Sequence, residues 1–469
     1  MSSVVYYGSV INPVTLLSFK AHTSCLIAVG PTGTIDWIVE DVPDSMVQEI
    51  MAVHGYIDVD VVPLRSGEFI MPGLCDTHTH ASQMPNIGSG QQYELLAWLE
   101  NMTFPMESRF ADVDFARRTY TSVVRRMIDS GTTTCCYYGT IHLEATKILA
   151  EIVNQSGQRA FVGKCNMNQN SPAHYIEPSP EASISATKAL ISHIKQLPSN
   201  PHATEPLVQP ILTPRFAISC TSPLLASLGE LAASDPNLRI QTHISENPAE
   251  VTFTMSLFPE CSSYAGVYDS TGLLRTNTIL AHAVHLTEDE IELVAKRKAG
   301  ISHCPTSNFN LNSGVAPIGA YLDRGIKVGL GTDVSGGYSP SILNAIQNAS
   351  IASKVIAMQH RGEPPAPGKF SNRQLSVASL LYLATLGGAE VCNLENSVGS
   401  FAVGKSFDAL VVNVRNDAGN PALWAENSAP RNLEGMLEQF FFCGDDRNIS
   451  RVYVQGQLIG GRSVNSTGL

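Results

Sequence analysis

The sequence is short of charge, and the charge it carries is mostly negative. Asp, Glu, Lys and Arg make up 15% of the 469 residues, and 30 Lys and Arg stand against 42 Asp and Glu, for a formal net charge of −12. With 43% apolar residues, this composition is typical of a compact enzyme-sized protein rather than of a disordered one. The negative balance argues against a nucleic-acid backbone as partner and favours a small neutral or locally neutralised substrate.

Two further patterns are missing. No window approaches the ~18 consecutive apolar residues of a membrane-spanning helix, and no basic stretch followed by a long apolar run marks a signal peptide. The ten cysteines include the adjacent pair Cys135 and Cys136 but no CxxC motif of the zinc-ribbon or thioredoxin type. We therefore expect a cytoplasmic protein with reduced core thiols and no membrane partner.

Both ends of the chain carry short β-rich stretches. Strands are predicted near 4–10, 25–29 and 34–39, with a turn at 30–33, and again near 408–414 and 451–456. Chain termini often lie close together in space. We therefore predict that residues 1–68 and 396–469 form one small β-sandwich domain.

The middle of the chain alternates apolar strands with amphipathic helices, which is typical of parallel βα units. Eight strands are predicted, at 69–80, 132–138, 160–166, 208–212, 239–244, 278–282, 300–304 and 327–333. Helices are predicted at 114–129, at 223–233, and from a capping box at Thr287 and Glu290 to a stop at Gly300. The pattern predicts an α/β fold, a (β/α)8 TIM barrel over residues 69–395, as the catalytic domain.

Polar residues recur where these strands end. They are His78, His80, Arg215, His243, Glu246, His282, His303 and Asp333. Because all strands of such a barrel run the same way, their C-terminal ends meet at one mouth. Residues 255 positions apart, His78 and Asp333, are therefore expected to lie together.

The spacing of two histidines indicates a metal site. His78 and His80 are two residues apart, so strand alternation places both imidazoles on one face. Together with His243 and Asp333 they offer three nitrogens and a carboxylate oxygen, which suits Zn²⁺ better than Mg²⁺ or Ca²⁺. Iron and manganese stay open as alternatives. His303 has no evident partner and is expected to act behind the ligands or in the pocket wall.

Several motifs together resemble the amidohydrolase superfamily. Residues 72–80, PGLCDTHTH, resemble its first-strand signature, and His243, His282 and the strand that ends at Asp333 occupy its later positions. Within the superfamily the chain is similar, almost from end to end, to the enzymes that deaminate guanine. The matching segments are 80–83, 96–105, 131–134, 157–164, 213–216, 243–247, 281–282, 302–308, 329–338 and 444–448.

The resemblance implies a barrel joined to a β-sandwich, a homodimer, one Zn²⁺ per chain, and hydrolysis of guanine to xanthine and ammonia. The metal ligands that it implies are His78, His80, His243 and Asp333. It implies proton transfer by Glu246 and recognition of the purine ring by Gln83, Arg215 and Phe216.

These residue types suit the implied chemistry. Glu246 is expected to protonate a ring nitrogen next to C2 and later to help the amine leave. Asp333 is expected to accept a proton from the attacking water, and His282 to hydrogen-bond the attacking oxygen rather than to bind the metal. The planar fork of Arg215 suits carbonyl and ring-nitrogen acceptors, although a surface ion pair is the alternative for this residue. Phe216 can stack on the base.

Two other functions stay open at this point. A hydrolase of triazines or of modified purines would share the metal residues but not Gln83, Arg215 and Phe216. A non-enzymatic relative that uses the barrel as an interaction scaffold would usually lose metal ligands, and this chain keeps all four.

Overall fold

The computed structural model describes residues 2–199, 205–362, 366–424 and 432–465. The strands are β1 Val4–Thr15, β2 Ser18–Val29, β3 Ile35–Val39, β4 Val61–Pro63, β5 Glu68–Pro72, β6 Leu74–His80, β7 Thr132–Tyr138, β8 Arg159–Gly163, β9 Cys165–Asn166, β10 Val208–Pro214, β11 Arg239–Ile244, β12 Thr278–His282, β13 Gly300–His303, β14 Lys327–Leu330, β15 Ala409–Asn413, β16 Ile449–Val454 and β17 Gln457–Gly460. The α-helices are α1 Val47–Val53, α2 Leu95–Trp98, α3 Phe104–Ser108, α4 Val113–Asp129, α5 Leu143–Gln155, α6 Pro180–Lys195, α7 Ser222–Ser234, α8 Pro248–Leu257, α9 Tyr264–Ser270, α10 Glu288–Arg297, α11 Pro305–Asn310, α12 Ile318–Asp323, α13 Ile342–Gln359, α14 Val377–Ala384, α15 Leu386–Val391, α16 Leu433–Cys443 and α17 Arg462–Asn465. A π-helical turn, Leu99–Thr103, joins α2 to α3.

Eight parallel strands form the barrel, in the order β6, β7, β8, β10, β11, β12, β13 and β14. The ring closes just beyond β14, where the Asp333 N–H donates to the His78 carbonyl (2.9 Å) and the His80 N–H donates to the Val334 carbonyl (3.2 Å). The predicted (β/α)8 fold is confirmed. Closure also brings the end of the last strand against the histidines of the first.

The two chain ends supply a second sheet. Its order is β17-β16-β15-β5-β1-β2-β3, with β4 beside β1. The Tyr6 ring on β1 lies 4.7 Å from the Phe407 ring and 5.5 Å from the Tyr453 ring, between centroids, although β1 and β16 are three places apart in the sheet. The sheet therefore folds over on itself around a small apolar core, as a sandwich built from both termini requires. The predicted domain limits stay a prediction.

One predicted barrel strand is wrong in its extent. Residues 69–80 form two strands, because β5 pairs antiparallel with β15 in the terminal sheet and only β6 enters the barrel. The chain changes sheets at Gly73, where a Cβ would lie 2.1 Å from the Thr133 hydroxyl oxygen. The continuous apolar run hides this change, since residues buried on both faces of a sheet show no alternation.

The predicted end of one helix is also wrong. Thr287 and Glu290 form the expected capping box at the start of α10. The helix ends at Arg297, and Lys298 takes the left-handed conformation (φ 58°) that usually falls to glycine at this position. Gly300 is instead the first residue of β13, where a Cβ would lie 3.1 Å from the Val391 methyl groups.

In the described part of the chain, no helix combines the length and the apolarity needed to cross a membrane.

Candidate active site

The end of β6 places the first two histidines side by side. His78 and His80 are 1% and 2% exposed, and their ring centroids are 5.1 Å apart. Both therefore face the barrel mouth from one side of the strand, as their spacing predicts.

Asp333 meets these histidines from the last strand. Its Oδ1 lies 3.1 Å from His78 Nε2 and 3.4 Å from His80 Nε2. Burial alone would raise the pKa of Asp333, but the neighbouring histidines, His78 first, hold that pKa well below its usual range. Asp333 therefore presents a carboxylate to the imidazoles.

Two further histidines lie on β11 and β12, and each ring is held in place by a contact at its Nδ1. His243 Nδ1 lies 2.6 Å from the Arg215 carbonyl oxygen, and His282 Nδ1 lies 2.9 Å from Asn308 Oδ1. The two rings stack at 5.4 Å with an angle of 17° between their planes. A histidine held through Nδ1 by an oxygen acceptor directs the lone pair of Nε2 to the opposite side, as in metal sites.

The arrangement fits a metal cation. One potential ligand atom from each of His78, His243, His282 and Asp333 lies within 4.8 Å of the other three, and His80 Nε2 is 3.1 Å from His243 Nε2. Within the described residues, His78 Nε2 and His282 Nε2 are buried without a hydrogen-bond partner. Buried polar atoms are normally paired, so converging nitrogen lone pairs call for a shared cation.

The predicted set of ligands is brought together, and one further histidine joins it. His282, expected to contact the attacking oxygen, lies with its Nε2 3.7 Å from Asp333 Oδ2 and 3.4 Å from Glu246 Oε2. The geometry therefore accommodates both ligation by His282 and contact with a water beside the metal.

Glu246 stands in the turn after β11 and is 2% exposed. The Ser313 hydroxyl donates to its Oε1 at 3.4 Å. Burial raises the pKa of Glu246 well above its usual range, and the negative charges of Asp333 and Glu250 raise it further. The side chain lines the adjoining cavity, and its Oε2 lies 3.4 Å from His282 Nε2.

Glu250 holds this turn in place, although sequence reasoning did not single it out. Its Oε2 accepts from the backbone N–H groups of Glu246 (2.7 Å) and Asn247 (3.1 Å), and its Oε1 accepts from the Tyr264 hydroxyl (2.8 Å). Asn247 caps α8 in a capping box with Glu250. That Asn-x-x-Glu spacing is the sequence signal that could have identified Glu250.

A cavity of about 390 Å³, counted together with the open solvent at its mouth, adjoins the histidine cluster. The residues that line it are His80, Gln83, Leu95, Trp98, Leu99, Thr103, Arg215, Phe216, His243, Glu246, Leu311, Asp333 and Gly336. All three residues predicted to recognise the base are among them. The apolar part of the wall comes largely from α2 and the π-helical turn.

Glu107 on α3 is the second residue that sequence reasoning missed. The Arg215 guanidinium donates through both terminal nitrogens to the Glu107 carboxylate, at 2.8 and 3.2 Å. Arg215 therefore forms an ion pair, but a buried one, with both side chains at most 3% exposed. Breaking such a pair typically costs about 3–5 kcal/mol. The nearest sequence signal is the matching segment 96–105, which stops two residues before Glu107.

His303 lies elsewhere. It is 1% exposed, and burial lowers its pKa to about 3. It lines a separate cavity of about 420 Å³ with residues of α12, α13 and the segment 370–375. His303 therefore does not line the cavity beside the histidine cluster, so one of its two expected positions is wrong. The other, behind the ligands, stays a prediction.

Comparisons with known proteins show the family of the chain. Residues 69–459 match the Amidohydrolase family. The chain is 46% identical over 458 residues to a probable guanine deaminase of Schizosaccharomyces pombe, covering 97% of this chain and 83% of the relative. It is 36% identical over 455 residues to the guanine deaminase of Homo sapiens, covering 97% and 96%.

A solved structure extends the agreement to three dimensions. The guanine deaminase from C. acetobutylicum, crystallised with guanine bound in its active site, superposes with a TM-score of 0.86 at 34% identity, covering 98% of this chain and 100% of that one. The match spans barrel and terminal sheet alike. On fold, sequence and the buried cluster of histidines and aspartate, the chain belongs to the amidohydrolase family and, within it, to the guanine deaminases.

Proposed function

We propose that this chain hydrolyses guanine to xanthine and ammonia with one Zn²⁺ held by His78, His80, His243 and Asp333. The observation that carries the proposal is the convergence of these buried groups beside a cavity lined by Gln83, Arg215 and Phe216. The guanine found in the active site of the C. acetobutylicum relative supports the choice of substrate.

The donor set favours zinc over the hard cations. Imidazole nitrogens predominate at the cluster, whereas Mg²⁺ and Ca²⁺ take shells made of oxygen. Zinc accepts three or four such ligands and leaves a position for water. When bound, the metal lowers the pKa of a water molecule to about 7 and so supplies a nucleophile at neutral pH.

Two side chains act on the attacking water. Asp333, whose carboxylate oxygens lie within 3.7 Å of the surrounding imidazole nitrogens, accepts a proton from it. His282, held at Nδ1 by Asn308, hydrogen-bonds the attacking oxygen through Nε2 and stabilises the charge that develops there.

Glu246 moves protons on the side of the base. Its carboxyl group lines the cavity and protonates the ring nitrogen next to C2 as water adds to that carbon. The carbon–nitrogen bond to the exocyclic amine then breaks, and Glu246 helps to deliver the proton with which the amine leaves as ammonia. One water is consumed, and xanthine and ammonia are released.

The base is oriented by donors, an acceptor and an aromatic face. Gln83 offers one N–H and one oxygen lone pair beyond its protein contacts, and Arg215 keeps N–H groups that Glu107 does not use. Phe216 is 5% exposed at the cavity wall and offers its ring to the base.

Guanine turnover followed by absorbance, against adenine, cytosine and a panel of triazines, tests the substrate. The proposal expects hydrolysis of guanine alone at an appreciable rate; turnover of a triazine without turnover of guanine would overturn it. Metal analysis of the purified protein separates the enzyme from a scaffold, because a scaffold would hold no stoichiometric metal.

Two expectations stay predictions. We propose a homodimer, by analogy with the family, and a cytoplasmic location, from the scattered cysteines without a CxxC motif. Analytical ultracentrifugation tests the first, and imaging of a tagged chain tests the second.

A further inference from the structure

The Glu107 carboxylate is the point at which the base-binding side chains meet. Its Oε1 accepts from Gln83 Nε2 (2.9 Å) and from one terminal nitrogen of Arg215 (3.2 Å). Its Oε2 accepts from the other terminal nitrogen of Arg215 (2.8 Å) and from the Tyr175 hydroxyl (2.7 Å). The side chain is fully buried. A carboxylate has about four acceptor positions, so Glu107 is saturated and has none to offer a ligand.

We propose that Glu107 is a positioning and specificity-determining residue, which aims Gln83 and Arg215 at the base and cancels the charge of Arg215. The inference rests on the proposed function, since it takes the base to be guanine. Glu107 does not line the cavity, so its effect on the substrate must pass through the two side chains that it holds.

The contact with Gln83 sets which end of the amide faces which neighbour. The ionised Glu107 carboxylate can accept hydrogen bonds but cannot donate them, so the Gln83 amide nitrogen must point to it. The Gln83 amide oxygen then accepts from the Ser335 N–H at 3.2 Å. A flipped amide would lose both bonds. The remaining N–H and the remaining oxygen lone pair of Gln83 therefore have fixed positions in the cavity. A base whose edge is complementary to them can bind, and other bases cannot form both hydrogen bonds.

The contact with Arg215 fixes the plane of the guanidinium. Two parallel N–H···O bonds to one carboxylate allow a single orientation of the fork. The Arg215 carbonyl oxygen contacts His243 Nδ1, so the same residue links the base pocket to the metal cluster. The Tyr175 hydroxyl holds the carboxylate from outside the cavity.

The ion pair also sets the charge of the pocket. Arg215 donates to the ligand as one half of a neutral pair, which suits a neutral base. Xanthine loses a proton more readily than guanine, and an unpaired guanidinium in a buried cavity would attract the resulting anion strongly. Glu107 therefore limits the retention of product as well as orienting the substrate.

Two substitutions separate orientation from charge. Glu107→Gln keeps the shape but replaces one acceptor oxygen by a donor and leaves Arg215 unpaired. We expect KM for guanine to rise about 10- to 100-fold, since one or two hydrogen bonds to a charged or buried group are lost, with kcat within about tenfold and xanthine inhibition at least tenfold stronger. Glu107→Asp keeps the charge but shortens the reach, so KM should rise while xanthine inhibition stays near that of the wild type.

Asp408→Asn is the matched control. Asp408 is a buried carboxylate that pairs with Arg159 at 2.9 Å and also accepts from Ser406 and Gln455, at the opposite end of the barrel strands. The Asp408→Asn substitution should lower the melting temperature about as much as Glu107→Gln does. It should leave the KM for guanine, the inhibition by xanthine and the substrate choice of the folded enzyme unchanged. Metal content should be one per chain in all variants.

The outcomes are distinct. If Glu107→Gln and Asp408→Asn have the same KM and the same xanthine inhibition, Glu107 has only a structural role and the inference fails. If Glu107→Asp strengthens xanthine inhibition as much as Glu107→Gln does, the charge argument fails. If the wild type does not hydrolyse guanine, the proposed function fails, whatever the variants do.

Discussion

Glu246→Gln tests the assignment of the proton carrier. The amide has the shape of the carboxylate and can still accept from the Ser313 hydroxyl, which donates to Glu246 Oε1 at 3.4 Å. It cannot carry a proton between the water and the base. Loss of general acid–base catalysis typically lowers rates about 10²- to 10⁴-fold, which corresponds to about 2.7–5.5 kcal/mol in the activation free energy. We expect kcat to fall by at least that factor.

Binding and folding should survive this substitution. Burial, together with the charges of Asp333 and Glu250, raises the pKa of Glu246 and so opposes its ionisation. A neutral amide therefore replaces a side chain whose charged form the site already disfavours. Guanine affinity by calorimetry, one metal per chain and an unchanged or higher melting temperature are therefore expected. Glu290→Gln, in the capping box of α10, is the control and should turn over guanine normally. Turnover by Glu246→Gln within tenfold of the wild type would remove Glu246 from the proton path.

Three further perturbations have defined outcomes. Glu250→Gln should lower kcat more than it raises KM, because the amide accepts less strongly from the backbone N–H that places Glu246 (2.7 Å); an unchanged kcat would show that Glu250 is not needed to position this turn. Removal of the metal by a chelator should lower the melting temperature, since a ligand at 100 times its dissociation constant stabilises by about 2.7 kcal/mol, and re-addition of zinc should restore it; a melting temperature insensitive to chelation would contradict a bound cation. Gly229→Ala should destabilise the folded protein by about 1–3 kcal/mol, because its Cβ would lie 1.8 Å from the Thr271 carbonyl oxygen. Gly435→Ala, with open space around it inside α16, should stabilise the folded protein by about 0.5–1 kcal/mol. Urea unfolding in which both substitutions change the free energy of unfolding in the same direction would contradict the packing.

The metal cluster was predictable because its geometry follows from strand rules. Two residues of separation place His78 and His80 on one face, and parallel strands in a closed barrel bring His243, His282 and Asp333 to the same mouth. No contact between distant side chains had to be foreseen individually. The position of each residue at a strand end was sufficient.

His303, at the end of β13, shows that a position at a strand end does not by itself place a side chain in the site. Ser302 points into the barrel, where its hydroxyl lies 2.6 Å from the Thr77 hydroxyl, so the next side chain along β13 points outward to the helices. The strand-end position predicted the right edge of the barrel but not the right face. On a strand of four residues, the sequence pattern does not reveal which face is which.

The supporting carboxylates were not predictable in the same way. Glu107 lies 108 positions before Arg215 and reaches it from α3, which is too short to show a periodic pattern. Glu250 could be recognised as a helix cap, but its third contact, to Tyr264, depends on how α8 and α9 pack. Such contacts follow from tertiary packing, which residue spacing does not encode.

The most direct test of the central claim is zinc-edge X-ray absorption on the purified protein, combined with metal quantification. The account predicts one zinc per chain, a shell of nitrogen and oxygen at about 2.0–2.2 Å with no sulfur, and loss of the bound metal in His78→Ala and Asp333→Ala. A protein that hydrolyses guanine without stoichiometric metal, or a shell that contains sulfur, would contradict it.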